Sequence, residues 1–278
     1  MSMINKISRR IWTLLKHVFL IFMSVVISFP FIWMLISSFK SNSEVFNNTI
    51  FFPTVWRFAN YPEALSLAPF GIFFKNSILV TFICVFFQLT TCSLAGFAFA
   101  KLKFKFKNAI FLMFLACMMI PKEATVLSNY ITVFKMGFMN TYIGLVITSL
   151  TSIFGIFLLR QYYMTVPNEF MEAASLDGCG KFRTFLYVFL PMGKSALAAV
   201  GVFGMIQSWN DYMWPLIITN STKYKTVQTG IRYLISEDVG SQWGYIMAIS
   251  TVIIFPIVVI FIFLQKYFIQ GITKVGLK

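Results

Sequence analysis

Residues 18–37 read VFLIFMSVVISFPFIWMLIS, a stretch of 20 residues without one charged side chain. Because a helix rises about 1.5 Å per residue, about 20 apolar residues cross the hydrocarbon core of a bilayer. Basic residues precede the stretch, as they do in a signal peptide, but the apolar core of a signal peptide is only about 7–15 residues long. The stretch therefore predicts a membrane-spanning helix that is not cleaved from the chain.

Five further apolar stretches have a similar character. They predict spans at about residues 77–100, 108–121, 142–159, 195–218 and 245–264. The third span is short unless it continues beyond Lys122 and Glu123, and it alone looks interrupted. A spanning β-barrel would instead show segments of about ten residues with alternating hydrophobicity, and the sequence has none. We predict an all-α integral membrane protein with six transmembrane helices.

The composition agrees with this class. Charged residues make up 12% of the chain, whereas a soluble domain has about 25%, so an ordinary soluble enzyme is excluded. The four cysteines form no CxxC pair, and His17 is the single histidine. The sequence therefore offers neither a disulfide framework nor a metal site.

The basic residues predict the orientation, because the cytoplasmic segments of membrane proteins carry the excess of Lys and Arg. With the N-terminus inside, 15 of the 23 basic residues fall on inner segments and eight on outer segments. Both termini and the loop at 160–194 are then cytoplasmic, and the chain is a multi-pass protein of the cell membrane. Topology and lipid contacts thereby explain much of the net charge of +14 without nucleic acid.

Within this loop, residues 167–191 read PNEFMEAASLDGCGKFRTFLYVFLP. Proline suits the first turn of a helix, so we expect a short helix to begin at Pro167. Asp177 and Gly178 mark its end, since glycine readily adopts the left-handed conformation that caps helices. Such a helix has small residues on one face and a carboxylate beside them, and it can dock into the groove of a partner.

Three elements of this loop together resemble a known signature. They are Glu172-Ala173-Ala174, Gly178 six residues after the glutamate, and Leu190-Pro191. The pattern is similar to the EAA loop of the permeases of binding-protein-dependent ABC importers, with Val188 where isoleucine is usual. The sequence SWND at 208–211 resembles the carbohydrate branch of the same family.

The resemblance implies the type I ABC importer permease fold, here as one membrane domain over residues 1–278 with a core at 72–267. It implies a permease subunit that moves a sugar or oligosaccharide inward together with a second, homologous permease subunit. A partner ATPase dimer would bind ATP and Mg²⁺, and an extracytoplasmic sugar-binding protein would deliver the solute. Coupling to the ATPase would fall to Glu172, Ala173, Ala174, Gly178, Leu190 and Pro191.

The residues themselves agree that ATP binds elsewhere. A phosphate-binding loop requires GxxxxGK[ST], because its backbone amides must surround the phosphates. The nearest match, Gly193-Lys194-Ser195, has Val188 where the first glycine belongs. We therefore expect no cofactor on this chain and no enzymatic activity of its own.

Asn210 and Asp211 stand inside the fifth predicted span, where a charged side chain costs about 2.5–3.5 kcal/mol. The Asp211 carboxylate is therefore expected to face protein or a water-filled cavity. Two roles fit this placement. The pair could pin the fifth span to a neighbouring helix, or it could line the path of the solute.

Two other functions stay open. A permease of the same machinery could carry a solute other than a sugar, and an ion-coupled secondary transporter would have a similar composition. Secondary transporters often contain paired broken helices, whereas only the third span looks interrupted here. The sequence therefore favours the importer permease.

Overall fold

The computed structural model of the chain describes residues 3–47, 51–235 and 242–276. Within these ranges the regular secondary structure is helical, which confirms the predicted all-α class. Leu277 and Lys278, which end the predicted cytoplasmic tail, lie outside the described residues.

The helices are numbered in chain order. They are α1 (Met3–Ser37), α2 (Asn42–Val45), α3 (Asn60–Ser66), α4 (Phe70–Lys101), α5 (Lys107–Met118), α6 (Lys122–Lys135), α7 (Tyr142–Val146), α8 (Ile153–Thr165), α9 (Glu169–Leu176), α10 (Lys181–Thr184), α11 (Leu190–Met192), α12 (Lys194–Trp209), α13 (Met213–Ile218), α14 (Val227–Gly230) and α15 (Trp243–Gly276). Short 3-10 helices cover Ile147–Ser149, Thr222–Tyr224 and Ile231–Leu234, and a π-helical turn covers Phe185–Phe189.

Three single helices are long and apolar enough to cross a membrane. They lie within α1, α4 and α15, at Ile11–Ser37, Phe70–Lys101 and Trp243–Phe263. Three helix pairs also qualify when each is counted as one bent span: α5 with α6, Tyr142–Ser149 with α8, and Lys181–Met192 with α12. These pairs bend by 100°, 45° and 80°, respectively. Counted in this way, the described chain has the six spans that the sequence predicts.

The prediction that only the third span is interrupted is wrong. Helical structure also stops at 150–152 in the fourth predicted span and at 210–212 in the fifth predicted span, in addition to the stop at 119–121. The chain also bends by 80° at Gly193, between Lys181–Met192 and α12. Pro121 explains the first stop, because proline lacks an N–H group and disfavours a helical residue before it. At the second stop Ser152 caps α8, since its hydroxyl accepts a hydrogen bond from Gly155 N at 3.2 Å.

The described parts of residues 1–68 and 231–254 form one compact unit. The buried amide of Asn60 donates hydrogen bonds to the carbonyl oxygens of Ser38 and Lys40, at 2.8 and 2.9 Å. These bonds fix the turn that follows α1. The most apolar part of α1 is unburied throughout, so lipid or another chain must cover it in the membrane.

The second unit comprises the described parts of residues 69–230 and 255–278. Its centre is α4, which packs against α8 and α12 along most of its length. Small residues permit this approach: a Cβ atom at Gly96 would lie 2.8 Å from Leu159 Cβ, and one at Gly155 would lie 2.8 Å from Cys92 Sγ. Close packing at small residues is the usual way in which membrane helices associate.

Candidate functional site: the coupling loop and a polar cavity

The segment 160–194, called the coupling loop below, contains helix α9 at its centre. The prediction that this helix begins at Pro167 is wrong by two residues, because α9 begins at Glu169. Val166 has an extended backbone, as a residue before proline prefers, and Asn168 occupies the cap position. Pro167 therefore belongs to the connection between α8 and α9 and is not the first residue of α9.

The end of α9 is a Schellman motif centred on Gly178. The N–H group of Gly178 donates to Ser175 O at 3.1 Å, and that of Cys179 donates to Ala174 O at 2.9 Å. Gly178 has φ = +74°, which confirms the expected left-handed conformation. Since a side chain resists this conformation, glycine here sets the direction in which the chain leaves α9.

Lys101, the last residue of α4, joins that helix to the start of the coupling loop. Its Nζ donates to Val166 O at 2.6 Å and to Asn168 Oδ1 at 2.8 Å. It also lies over the ring of Phe189, 5.7 Å from the ring centroid. The Lys101 side chain thus joins the residues that precede α9 to the end of α4, and it also contacts Phe189 near the far end of the loop.

The far end of the coupling loop is fixed by aromatic packing. The rings of Phe185 and Phe189, in the π-helical turn, lie 5.3 and 5.0 Å from the ring of Phe97 on α4. The Tyr162 hydroxyl donates to Met192 O at 2.6 Å, next to Leu190-Pro191. Leu190 is half-buried and Pro191 is exposed at the bend into α12.

Between these two fixed ends, α9 has one buried and one exposed side. Ala174 faces the protein with 7% exposure, whereas Glu172 and Ala173 are exposed. Leu176, one helical turn after Glu172, is 90% exposed. Sequence reasoning missed Leu176, although an apolar residue four positions after the glutamate is a visible signal of a second contact on the same face.

Beyond α9 the coupling loop exposes three more large apolar side chains, Phe182, Leu186 and Tyr187. Exposed apolar side chains that cluster on one segment are typical of a surface that another protein or lipid covers. The loop therefore combines fixed ends with an uncovered apolar surface beside the carboxylate of Glu172.

The structure separates the two residues of the fifth span that sequence analysis paired. Asn210 is exposed and its Oδ1 accepts a hydrogen bond from Gln228 at 3.3 Å. Asp211 is half-buried, and its Oδ1 accepts the N–H group of Trp214 at 3.3 Å. Both lie in the stop between α12 and α13 and not within a helix as predicted. Asp211 stabilises this stop, because its carboxylate accepts the N–H group of Trp214 in the first turn of α13.

A cavity of about 360 Å³, called the polar cavity below, borders Asp211. Its lining includes Ile120 from the first stop and Lys122 at the start of α6, and Thr151 and Ser152 from the second stop. The stops near 119–121, 150–152 and 210–212 therefore border one cavity, whereas the bend at Gly193 does not. The coupling loop contributes no residue to the described lining, so the chain has two distinct candidate sites.

Comparison with known proteins agrees with this architecture. Residues 93–274 match the family described as the binding-protein-dependent transport system inner membrane component. The arabinooligosaccharides transport system permease protein AraQ of Halalkalibacterium halodurans is 31% identical over 92% of this chain and 93% of its own length. The sn-glycerol-3-phosphate transport system permease protein UgpE of Rhizobium meliloti is 30% identical over 96% and 98%.

A solved structure shows the same fold. It is the crystal structure of a bacterial ABC transporter involved in the import of the acidic polysaccharide alginate, with a TM-score of 0.81 and 23% identity. The match covers 94% of this chain and 98% of the other. Since the family match spans more than half of the chain, the resemblance drawn from the EAA pattern is confirmed, and the chain belongs to the family of inner membrane components of binding-protein-dependent transport systems.

Proposed function

We propose that this permease subunit serves an ATP-driven importer that moves a sugar or oligosaccharide inward across the cell membrane. The observation that carries the proposal is the coupling loop, in which α9 is held at both ends and leaves Glu172 and Leu176 exposed. The AraQ relative, named for arabinooligosaccharides, supports a carbohydrate as the solute. Family membership removes the support for an ion-coupled secondary transporter.

The energy comes from ATP and Mg²⁺ bound to a partner ATPase dimer. The absence of GxxxxGK[ST] from the sequence supports this division of labour, because a chain without that loop lacks the amides that surround phosphates. A second homologous permease completes the pathway, and an extracytoplasmic binding protein delivers the solute. The unburied apolar surface of α1 supports contact with lipid or with the second permease.

The coupling loop transmits the ATPase cycle to the membrane. Glu172, Ala173 and Leu176 contact the ATPase, and Ala174 seats α9 on this subunit. Gly178 sets the exit direction of the chain, and Leu190-Pro191 directs it into α12. The exposure of the first three and the burial of Ala174 support this assignment.

A second candidate is a permease for a small phosphate ester. The UgpE relative, named for sn-glycerol 3-phosphate, is nearly as similar to this chain as AraQ. The two candidates share the whole mechanism and differ only in the solute.

Transport by the complete importer tests the function. Reconstituted with its ATPase, partner permease and binding protein, the complex should take up arabinotriose only with ATP. Glu172→Lys should lower uptake about tenfold or more while the complex still assembles, since losing a charged contact costs about 1.5–3 kcal/mol. Glu123→Lys, with the same charge change far along the sequence, is the control. Uptake driven by an ion gradient without ATP would contradict the proposal.

Gly178→Ala tests the geometry of the loop. The left-handed conformation costs a residue with a side chain about 1–2 kcal/mol, so the loop should open more often and uptake should fall. Gly180→Ala is the matched control, because Gly180 has φ = −66° and, like Gly178, has no atom within 4 Å of a new Cβ. Limited proteolysis of the loop and uptake are the measurements. Equal behaviour of the two variants would remove Gly178 from the coupling residues.

Lys101→Met tests the link between α4 and α9. Removal of the ammonium breaks two hydrogen bonds, each worth about 1.5–3 kcal/mol for a charged donor, so less solute should move per ATP hydrolysed. Lys101→Arg should restore part of the coupling, and the exposed Lys103→Met is the control. The ratio of uptake to ATP hydrolysis is measured in proteoliposomes. A Lys101→Met ratio equal to that of Lys103→Met would contradict the link.

The proposed orientation places the coupling loop in the cytoplasm. Cys179 of the loop is half-buried, whereas Cys84 and Cys92 are buried. In a Cys117→Ser background, a membrane-impermeant maleimide should therefore label inside-out vesicles and spare right-side-out vesicles. Cys179→Ser should abolish the label. Labelling of right-side-out vesicles at Cys179 would place the loop outside and reverse the topology.

A further inference from the structure

A cavity of about 420 Å³, called the inner cavity below, lies between α5 and the second half of α8. Its lining on α5 comes from positions 108, 111, 112 and 115, and its lining on α8 comes from positions 157, 160 and 161. Residues three or four positions apart lie on the same face of a helix. Each helix therefore presents one continuous face to the inner cavity, whose described lining has no residue in common with that of the polar cavity.

The inner cavity is polar at one end and apolar at the other. Asn108 is the second residue of α5, and the Cζ atom of Arg160 lies 3.9 Å from the ring centroid of Phe111. Phe157 stacks with Phe111 at 6.4 Å, and Leu115 lies about 10 Å further along α5 than Asn108. A small polar solute would leave the apolar end without a match, whereas an amphiphile matches both ends.

The Arg160 side chain offers hydrogen-bond donors at the polar end. A guanidinium group over an aromatic ring keeps the N–H groups of its edge available to a phosphate or a carboxylate. The Nε atom of Arg160 is buried and has no hydrogen-bond partner among the described residues. A buried donor without a partner is a reason to look for a bound acceptor.

A second positive charge lies beside Arg160. Lys107 begins α5, and its ammonium group repels the guanidinium group of Arg160. Lys107 donates to Ala100 O at 3.4 Å and to Leu102 O at 3.0 Å, which leaves one of its three N–H groups for another acceptor. The described residues that line the inner cavity, and those of an adjoining cavity that shares Asn108, include no acidic side chain. An anion at the polar end would therefore offset the repulsion.

The polar end lies at the membrane surface in the proposed orientation, because α5 begins there from the cytoplasmic segment that joins it to α4. Basic pockets between spans on the cytoplasmic side bind the headgroups of anionic lipids. Leu112, which lines the inner cavity, is 63% exposed, and its neighbour Met113 is 65% exposed. The apolar wall is therefore uncovered in this subunit, so an acyl chain can enter from the bilayer.

We propose that the inner cavity binds one anionic phospholipid of the cytoplasmic leaflet. Arg160, Lys107 and Asn108 bind the phosphate of the headgroup, and an acyl chain lies against Leu112 and Phe157. The volume of about 420 Å³ is within the range of roughly 300–1,000 Å³ that is typical of ligand pockets. This lipid site goes beyond the proposed import function and depends only on the orientation proposed with it.

Binding of two lipids to the complete importer tests the site. Phosphatidylglycerol and phosphatidylcholine with the same acyl chains are titrated separately into the detergent-purified complex, and native mass spectrometry counts the bound lipid. Phosphatidylglycerol should bind about tenfold more tightly, which corresponds to about 1.4 kcal/mol. The physical reason is that Arg160 and Lys107 repel the choline ammonium group but not the glycerol headgroup.

Variants of this chain assign the binding to the inner cavity, because the partner permease is the same in every sample. Arg160→Gln should weaken the binding of phosphatidylglycerol about tenfold, since its charge-assisted hydrogen bonds are lost. Arg160→Lys keeps the charge and should keep the preference for phosphatidylglycerol. Lys105→Gln is the matched control, because Lys105 is exposed and lies outside the described lining of both cavities. Lys107→Gln gives an independent result if Arg160→Gln does not assemble.

Four results would overturn the lipid site. They are equal binding of the two lipids, equal weakening by Arg160→Gln and Lys105→Gln, and displacement of phosphatidylglycerol by free sn-glycerol 3-phosphate at a similar concentration. The fourth is an intact complex without bound phosphatidylglycerol, which would indicate that the second permease covers the cavity. ATP-dependent uptake is a separate measurement, so each of these results leaves the proposed import function unaffected.

Discussion

Every backbone N–H and C=O group inside the hydrocarbon needs a partner within the protein, and this requirement decides where the chain can depart from a helix. Helix α4 keeps its helical backbone hydrogen bonds over 32 residues. The helical hydrogen bonds stop at 119–121, 150–152 and 210–212, and residues of these three stops line the polar cavity, whereas the bend at Gly193 lies outside the described lining. The interruptions and the cavity are therefore one feature. Backbone groups freed at these stops border a cavity in place of hydrocarbon, which is where such groups are tolerated at membrane depth.

Helix α4 connects the two candidate sites because its sequence combines small, polar and basic positions. Gly96 and Cys92 admit α8 at close range, and a Cβ atom at Gly204 on α12 would clash with the Gln88 amide oxygen. The helix then presents Gln88 to the polar cavity and Lys101 to the coupling loop. These two residues are 13 positions apart, which corresponds to about 20 Å along a helix.

Sequence alone predicted the features that depend on local pattern. The number of spans follows from apolar length, and the left-handed Gly178 follows from its place after a short helix. The stops at 150–152 and 210–212 escaped prediction because they contain no proline, and their polar residues could equally well be read as the interior of a helix. The link from Lys101 to Val166 escaped because the partners are 65 residues apart and one of them is a carbonyl group, which every residue possesses.

Two contacts of α4 connect the coupling loop to the polar cavity: the bond of Lys101 to Val166 and the bond of Gln88 to Ser149. Lys101 holds the entry to α9, so a displacement of α9 pulls on the end of α4, and a helix that packs on two sides moves as a body. Gln88 on that helix bonds Ser149 O at 2.7 Å. Hydrogen bonds of this kind tolerate only about 0.5 Å of stretch, whereas helix shifts in switching proteins are about 1–2 Å. A shift of α9 is therefore transmitted to α4, the helix that carries both Lys101 and the Gln88 bond at the polar cavity.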